Sequence, residues 1–95
     1  MDIVWRRQAA RDPAHIFDFV LRQDPGAARN LCDRVERRVA QLRDHPHMGR
    51  PGRVAGTREL VVAGTPYVVA YREASSQVDV LAVIHASRRW PDTFD

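Results

Sequence analysis

The stretch VDVLAVIHASRRWP, residues 78–91, decides how this chain is read. It opens as a strand, rich in valine, isoleucine and leucine and apolar at both parities. Such a strand belongs inside a sheet, with at least one face covered. It closes on His85, Arg88, Arg89 and Trp90, a cluster that is either a working surface or the solvated end of a strand.

Two more strands precede it. RELVV (58–62) and YVVAYRE (67–73) are β-like, and the turns AGTP and ASSQ are short, so the three strands form an antiparallel meander. GRPGRVAGT, just before them, reads as a loop rich in glycine and arginine. The N-terminal DIVW (2–5) reads as an opening strand. Between them, Asp12–Pro13 and Asp24–Pro25 each pair an N-capping residue with proline at the first helical position. Ile16, Phe17, Phe19 and Val20 supply the first helix with an apolar face, and the alanines of RRQAA can extend it backward by a turn. Ala28, Leu31, Cys32, Val35, Val39 and Leu42 recur at helical spacing in the second, opposite Arg29, Asp33, Arg37 and Arg38. Pro46 and Gly49 end it. The order predicts an α+β fold: an N-terminal strand, an antiparallel helix hairpin, then a three-stranded meander. All strands join one sheet, covered on one face by the helices.

Ninety-five residues suit a single domain spanning 1–95, with a compact core shared by few elements. No apolar run reaches the roughly 18 residues of a membrane span, and MDIVWRRQAARD lacks a signal-peptide layout. The lone Cys32 cannot close an internal disulfide, so the chain is expected in the cytoplasm. The net charge is +3, and all fifteen basic residues are arginine. A complete lack of lysine points to codon bias, so arginine position carries more information than arginine number.

The order of elements and the wording of the second half resemble the RelE/ParE superfamily of type II toxin–antitoxin toxins. The resemblance rests on HPHMGRPGR, GTRELVV, PYVVAYR and VDVLAVIH with its basic tail, and on a tryptophan after the first strand. It implies a growth-inhibiting toxin, neutralised by a cognate antitoxin whose acidic, partly helical segment wraps around it in a hetero-oligomer. RelE-like members cut messenger RNA on the ribosome, through the RNA's own 2′-hydroxyl, with cations for the phosphorane and a proton donor for the leaving oxygen. Arg58 matches their strand arginine and His85 their late histidine, while the lysine pair and a tyrosine beyond Tyr71 are missing. ParE-like members poison DNA gyrase and lack that set. The resemblance is therefore closer to ParE, with DNA gyrase as the expected target. A ribosome-dependent endoribonuclease using Arg58 and His85 is the alternative, and an antitoxin-binding relic the second alternative.

Each candidate residue also has a plainer reading. His85 can move a proton near neutrality, or can end a strand bonded to backbone, and the latter is favoured. Arg58 heads a row with Leu60 and Val62, as a phosphate clamp or as the partner of a carboxylate at the sheet edge. Glu59 beside it is a candidate carboxylate base. Arg50, Arg53, Arg72, Arg88 and Arg89, with Trp90, form a candidate surface for a partner or nucleic acid, or a solvated rim. Trp5 reads as a core cap and Cys32 as a small buried hydrophobe. His45 and His47 lack a third ligand, so no metal is expected, and no cofactor either: GRPGRVAG follows no strand and opens no helix.

Overall fold

The computed structural model describes residues 1–94, apart from the side chains of Ala10, Pro13, Ala14 and Phe17. The elements are β1 (Asp2–Trp5), α1 (Arg7–Leu21), α2 (Pro25–Ala40), a 3₁₀ turn (Gln41–Arg43), β2 (Arg50–Pro51), β3 (Arg58–Val61), β4 (Tyr67–Ala74) and β5 (Gln77–His85). The strands form one sheet in the order β1-β5-β4-β3-β2. β3, β4 and β5 make the expected antiparallel meander. β1 runs parallel to β5, which the helix hairpin between them permits. β5 is thus an interior strand, as its two apolar faces require.

The glycine- and arginine-rich loop is not all loop. Arg50 and Pro51 pair antiparallel with Glu59 and Arg58 as a short fifth strand. Proline has no N–H for a ladder on both sides, so it is confined to an edge, which is where it sits.

The second helix starts as its sequence dictates, with the Asp24 Oδ1 accepting the Ala27 N–H at 3.1 Å. The first does not start at Asp12–Pro13. It begins at Arg7, and Asp12 and Pro13 lie within it. Ala9 is fully buried against the sheet, so the early turns are held by packing rather than by a cap. Asp12 has a different task. β1 accompanies β5 only as far as Val80, and beyond it the Asp12 carboxylate accepts the Val83 N–H at 2.9 Å. Burial pushes the Asp12 carboxyl above its usual value, against the Val83 N–H and the charges of His15 and Arg88. Asp12→Ala is expected to cost about 1–2 kcal/mol by orphaning that N–H, whereas Asp12→Asn keeps an acceptor and most of the stability. Urea denaturation of the two variants checks the difference.

The helices cover the inner face of the sheet. Leu31, Val35, Val39 and Leu42 from the α2 side pack with Leu60, Val62, Val69, Tyr71, Val78 and Val80. Ile16 and Val20 of α1 join them half-buried, but Phe19 is 62 % exposed and not part of the apolar face. The Phe17 side chain is outside the described residues. Trp5 packs against the core, as its reading as a cap requires.

Candidate functional site

The outer face of the sheet, away from the helices, is organised by two buried carboxylates. Alternation along β3 turns Glu59 outward, leaving it 3 % exposed. Its Oε1 accepts from Arg50 Nη2 at 3.1 Å and from Arg53 Nη2 at 3.4 Å. Its Oε2 accepts from the Arg53 backbone N–H at 2.7 Å and from Arg53 Nε at 3.2 Å. Burial alone would push this carboxyl up. The Arg53 amide and the two guanidiniums outweigh it and hold Glu59 below its usual value.

Asp79 is the second anchor. It faces Arg72 across the β4–β5 ladder and is 1 % exposed. Its Oδ2 lies 3.1 Å from Arg6 Nη2 and 3.7 Å from Arg72 Nε, and its Oδ1 accepts from Gln77 Nε2 at 2.7 Å. Burial again opposes ionisation, and again the bonds from Gln77 and Arg6 and the charges of Arg6 and Arg72 win, so the carboxyl titrates below its usual range.

Four guanidiniums are therefore fixed by a carboxylate while their side chains stay between 38 % and 56 % exposed. Trp90 joins the group, its ring 3.8 Å from the Arg53 guanidinium. Among the described residues the buried indole Nε1 has no hydrogen-bond partner. This contact brings the C-terminal tail onto the outer face, where Val54, Val68, Ala70 and Ala82 are buried. The arrangement offers oriented, permanently charged forks for carboxylate or phosphate.

The candidate arginines thus divide. Arg50 and Arg53 meet at Glu59 with Trp90 stacked on Arg53, and Arg72 meets Arg6 at Asp79. Arg88 acts on Asp12 of α1 instead, and Arg89 is simply exposed. Arg6 and Asp79 were missed by the sequence reading. A lone aspartate inside VDVLAVIH was the available signal, since a carboxylate in an apolar strand must be paired. Its partner Arg6 is visible only once β1 lies beside β5.

The residues matched to nuclease roles are not brought together. Arg58 lies on the inner face, where its Nη1 donates to the Gly49 carbonyl at 2.9 Å and to that of His47 at 3.4 Å. Among the described residues it pairs with no carboxylate; it ties down the segment ahead of β2. His85 pairs with Tyr67 and Arg58 with Tyr71. Strand rise and spacing then set Arg58 and His85 about 16 Å apart. The His85 Nδ1 accepts the Ser87 N–H at 3.1 Å, with the Ser87 hydroxyl 2.8 Å away and the Tyr67 ring packed edge-on. Tyr71 is fully buried, and burial raises its phenol, against the Gly49 bond and the Arg58 charge. His47 lies 3.3 Å from Glu73. Burial raises the thiol of the half-buried Cys32, helped by Glu36 and Asp33.

The sequence model described as ParE toxin of type II toxin-antitoxin system, parDE, matches residues 3–90. The chain belongs to the ParE toxin family. It is 40 % identical over 89 residues to the Y4kP protein of Sinorhizobium fredii, across 94 % of this chain and 92 % of that one. Toxin RelE2 of Caulobacter vibrioides is 34 % identical over 86 residues, across 90 % and 96 %. Among solved structures, a chain of the chromosomal ParDE system from P. aeruginosa superimposes with a TM-score of 0.84. It is 25 % identical, over 90 % of this chain and 95 % of that chain. This chain is therefore a toxin of the type II toxin–antitoxin class, with the α+β fold expected of it. Among the described residues, no helix is long and apolar enough to cross a membrane.

Proposed function

We propose that this ParE-family toxin acts in the cytoplasm as an inhibitor of DNA gyrase, without chemistry of its own, and is held silent by a cognate acidic antitoxin in a hetero-oligomer. One observation carries the reading: the groups matched to RNA cleavage are not gathered around one point of the sheet. Arg58 is occupied by two carbonyls, some 16 Å by strand geometry from His85. Glu59 is a weakened base, saturated by Arg50 and Arg53. Tyr71 is buried with its hydroxyl bonded on both sides. In-line cleavage needs base, acid and phosphorane clamp around one phosphate. A protein target needs only a shaped, charged surface, and the outer-face arginines with Trp90 provide one.

The test is induction of the toxin alone in bacteria, with labelled precursors of DNA and protein followed within minutes. DNA synthesis is expected to stop first, with filamentous cells. His85→Ala is expected to leave growth inhibition intact. The second reading, a ribosome-dependent mRNA endoribonuclease, has in its favour the name of the RelE2 relative. Under it protein synthesis stops first, and both Arg58→Ala and His85→Ala relieve the arrest. No effect on either synthesis would mean a chain that only binds its antitoxin.

A further inference from the structure

The four outer-face guanidiniums are only half used by their carboxylates. Glu59 holds Arg50 and Arg53, and Asp79 holds Arg6 and Arg72, so each centre keeps one positive charge in excess. The contacts to the carboxylates run through Nη2 and Nε. Among the described residues, no protein group accepts from the Nη1 of any of the four. A guanidinium already locked in place loses little further side-chain entropy when its free edge meets an anion.

The two centres also stand at a set interval. Glu59 is paired with Ala70 and Asp79 with Arg72, on the two sides of β4. Two strand spacings across and two residues along place them about 12 Å apart. Between them lie Ala70 and Ala82, small and fully buried, which offer no apolar anchor. Among the described residues, the exposed large apolar side chains lie mostly elsewhere: Phe19 and Leu21 on α1, Met1 before β1 and Met48 ahead of β2. Val61 alone shares the outward parity of Glu59, at the edge of the face. Protein partners are held chiefly by buried apolar and aromatic anchors. Interfaces with DNA are more polar and far more positively charged, and this face has that composition.

We infer that the outer face binds the phosphodiester backbone of duplex DNA, with Arg50 and Arg53 on the phosphates of one strand and Arg6 and Arg72 on those of the other. The interval between the centres is close to the ~12 Å width of a major groove, so the two pairs can straddle it. Each free guanidinium edge donates to phosphate oxygens in charge-assisted bonds. Contacts of this kind position the protein without reading sequence. The inference rests on the gyrase reading for where such a duplex is met, and it narrows that reading. The arginines meet the DNA that the enzyme holds, rather than the enzyme's own surface.

The test uses the full chain, made by cell-free synthesis, and two short DNA duplexes of equal length and unrelated sequence. Binding is followed by fluorescence anisotropy between about 50 and 200 mM salt. Log K is expected to fall with log salt at a slope of at most about −3.6, four contacts at roughly 0.9 each, and equally for both duplexes. Arg50→Gln and Arg72→Gln each leave their carboxylate one guanidinium, and each is expected to reduce the slope by about 0.9. Arg29→Gln removes the same charge from an exposed position on α2 and is expected to leave the slope unchanged. NMR of the isotope-labelled, unmodified chain reads the site without any variant. The Trp90 indole N–H, beside Arg53, and the Nε–H groups of Arg53 and Arg72 are expected to shift with either duplex.

Shifts confined to Arg34, Arg37 and Arg38 would sink the idea, as would an Arg29→Gln slope that falls as far as that of Arg50→Gln. Tighter binding of a single-stranded RNA of the same length would hand the face to the ribosomal reading and overturn this one. A toxin that stops DNA synthesis in cells yet binds no duplex at about 50 mM salt removes only this inference. Duplex binding through these arginines without such an arrest removes only the gyrase reading.

Discussion

Glu59→Gln is expected to lower the melting temperature by about 10–20 °C, corresponding to a loss of about 2–3 kcal/mol. The carboxylate is 3 % exposed and accepts from Arg50 and from both the backbone and side chain of Arg53. An amide of the same shape keeps one acceptor and presents an N–H₂ to donors. The cost stays below the roughly 3–5 kcal/mol of breaking a fully buried pair, because both guanidiniums are about half exposed and can be rehydrated.

The pH dependence follows from the same carboxylate. The folded Glu59 and Asp79 carboxyls titrate below their ordinary values, so their stabilisation is complete above the unfolded pKa. It is lost as pH falls from about 4.5 through the depressed folded values. Asp12, raised in the folded chain, acts with the opposite sign. Thermal melts from pH 7 downward should show a steep acid limb in the unmodified chain and a shallower one in Glu59→Gln. Equal slopes would locate the acid sensitivity elsewhere.

The second large effect is at the junction of Gly49 and Tyr71. The Tyr71 hydroxyl accepts the Gly49 N–H at 2.9 Å and donates to the Pro46 carbonyl at 2.7 Å, inside the protein. Tyr71→Phe removes both bonds and leaves a buried N–H and a carbonyl without a partner, for about 2–3 kcal/mol. Gly49→Ala strikes the same joint sterically. Its Cβ would lie 2.6 Å from the Tyr71 hydroxyl and 2.9 Å from the Glu59 carbonyl, closer than packed atoms tolerate. Because the carbonyl is backbone, β3 itself would have to move, costing about 2–3 kcal/mol. Guanidinium denaturation of the two single variants and the double should show less than additive losses, since they break one contact. Full additivity would mean that Gly49 is needed for another reason.

The strands around residues 58–85 and the second helix were legible because their signals are local. Side-chain alternation, the Asp24–Pro25 start and the spacing of Val35, Val39 and Leu42 act over a few residues, whatever the rest of the chain does. The first helix starts at Arg7 rather than Pro13, six residues earlier and into the RRQAA stretch that was read as able to extend it, for the converse reason. Asp12 has the chemistry of a cap, but the Val83 N–H, 71 positions away, claims its carboxylate. Packing of Ala9 then replaces the cap.

The candidate surface was legible as a set of arginines and not as a site. Sequence alone determined that the chain carries a two-helix, antiparallel-meander fold with an interior last strand, and that its basic charge is all arginine, six of the fifteen in the β half and tail. Only the tertiary structure decided which arginines belong together. The parallel pairing of β1 with β5 carries Arg6 to Asp79, and β2 carries Arg50 to Glu59. It also set Arg58 on the inner face and His85 at the far end of the sheet. The physical reason is range: periodicity and capping are settled between neighbours in the chain. A buried carboxylate instead takes whichever guanidiniums the completed sheet brings within about 3 Å.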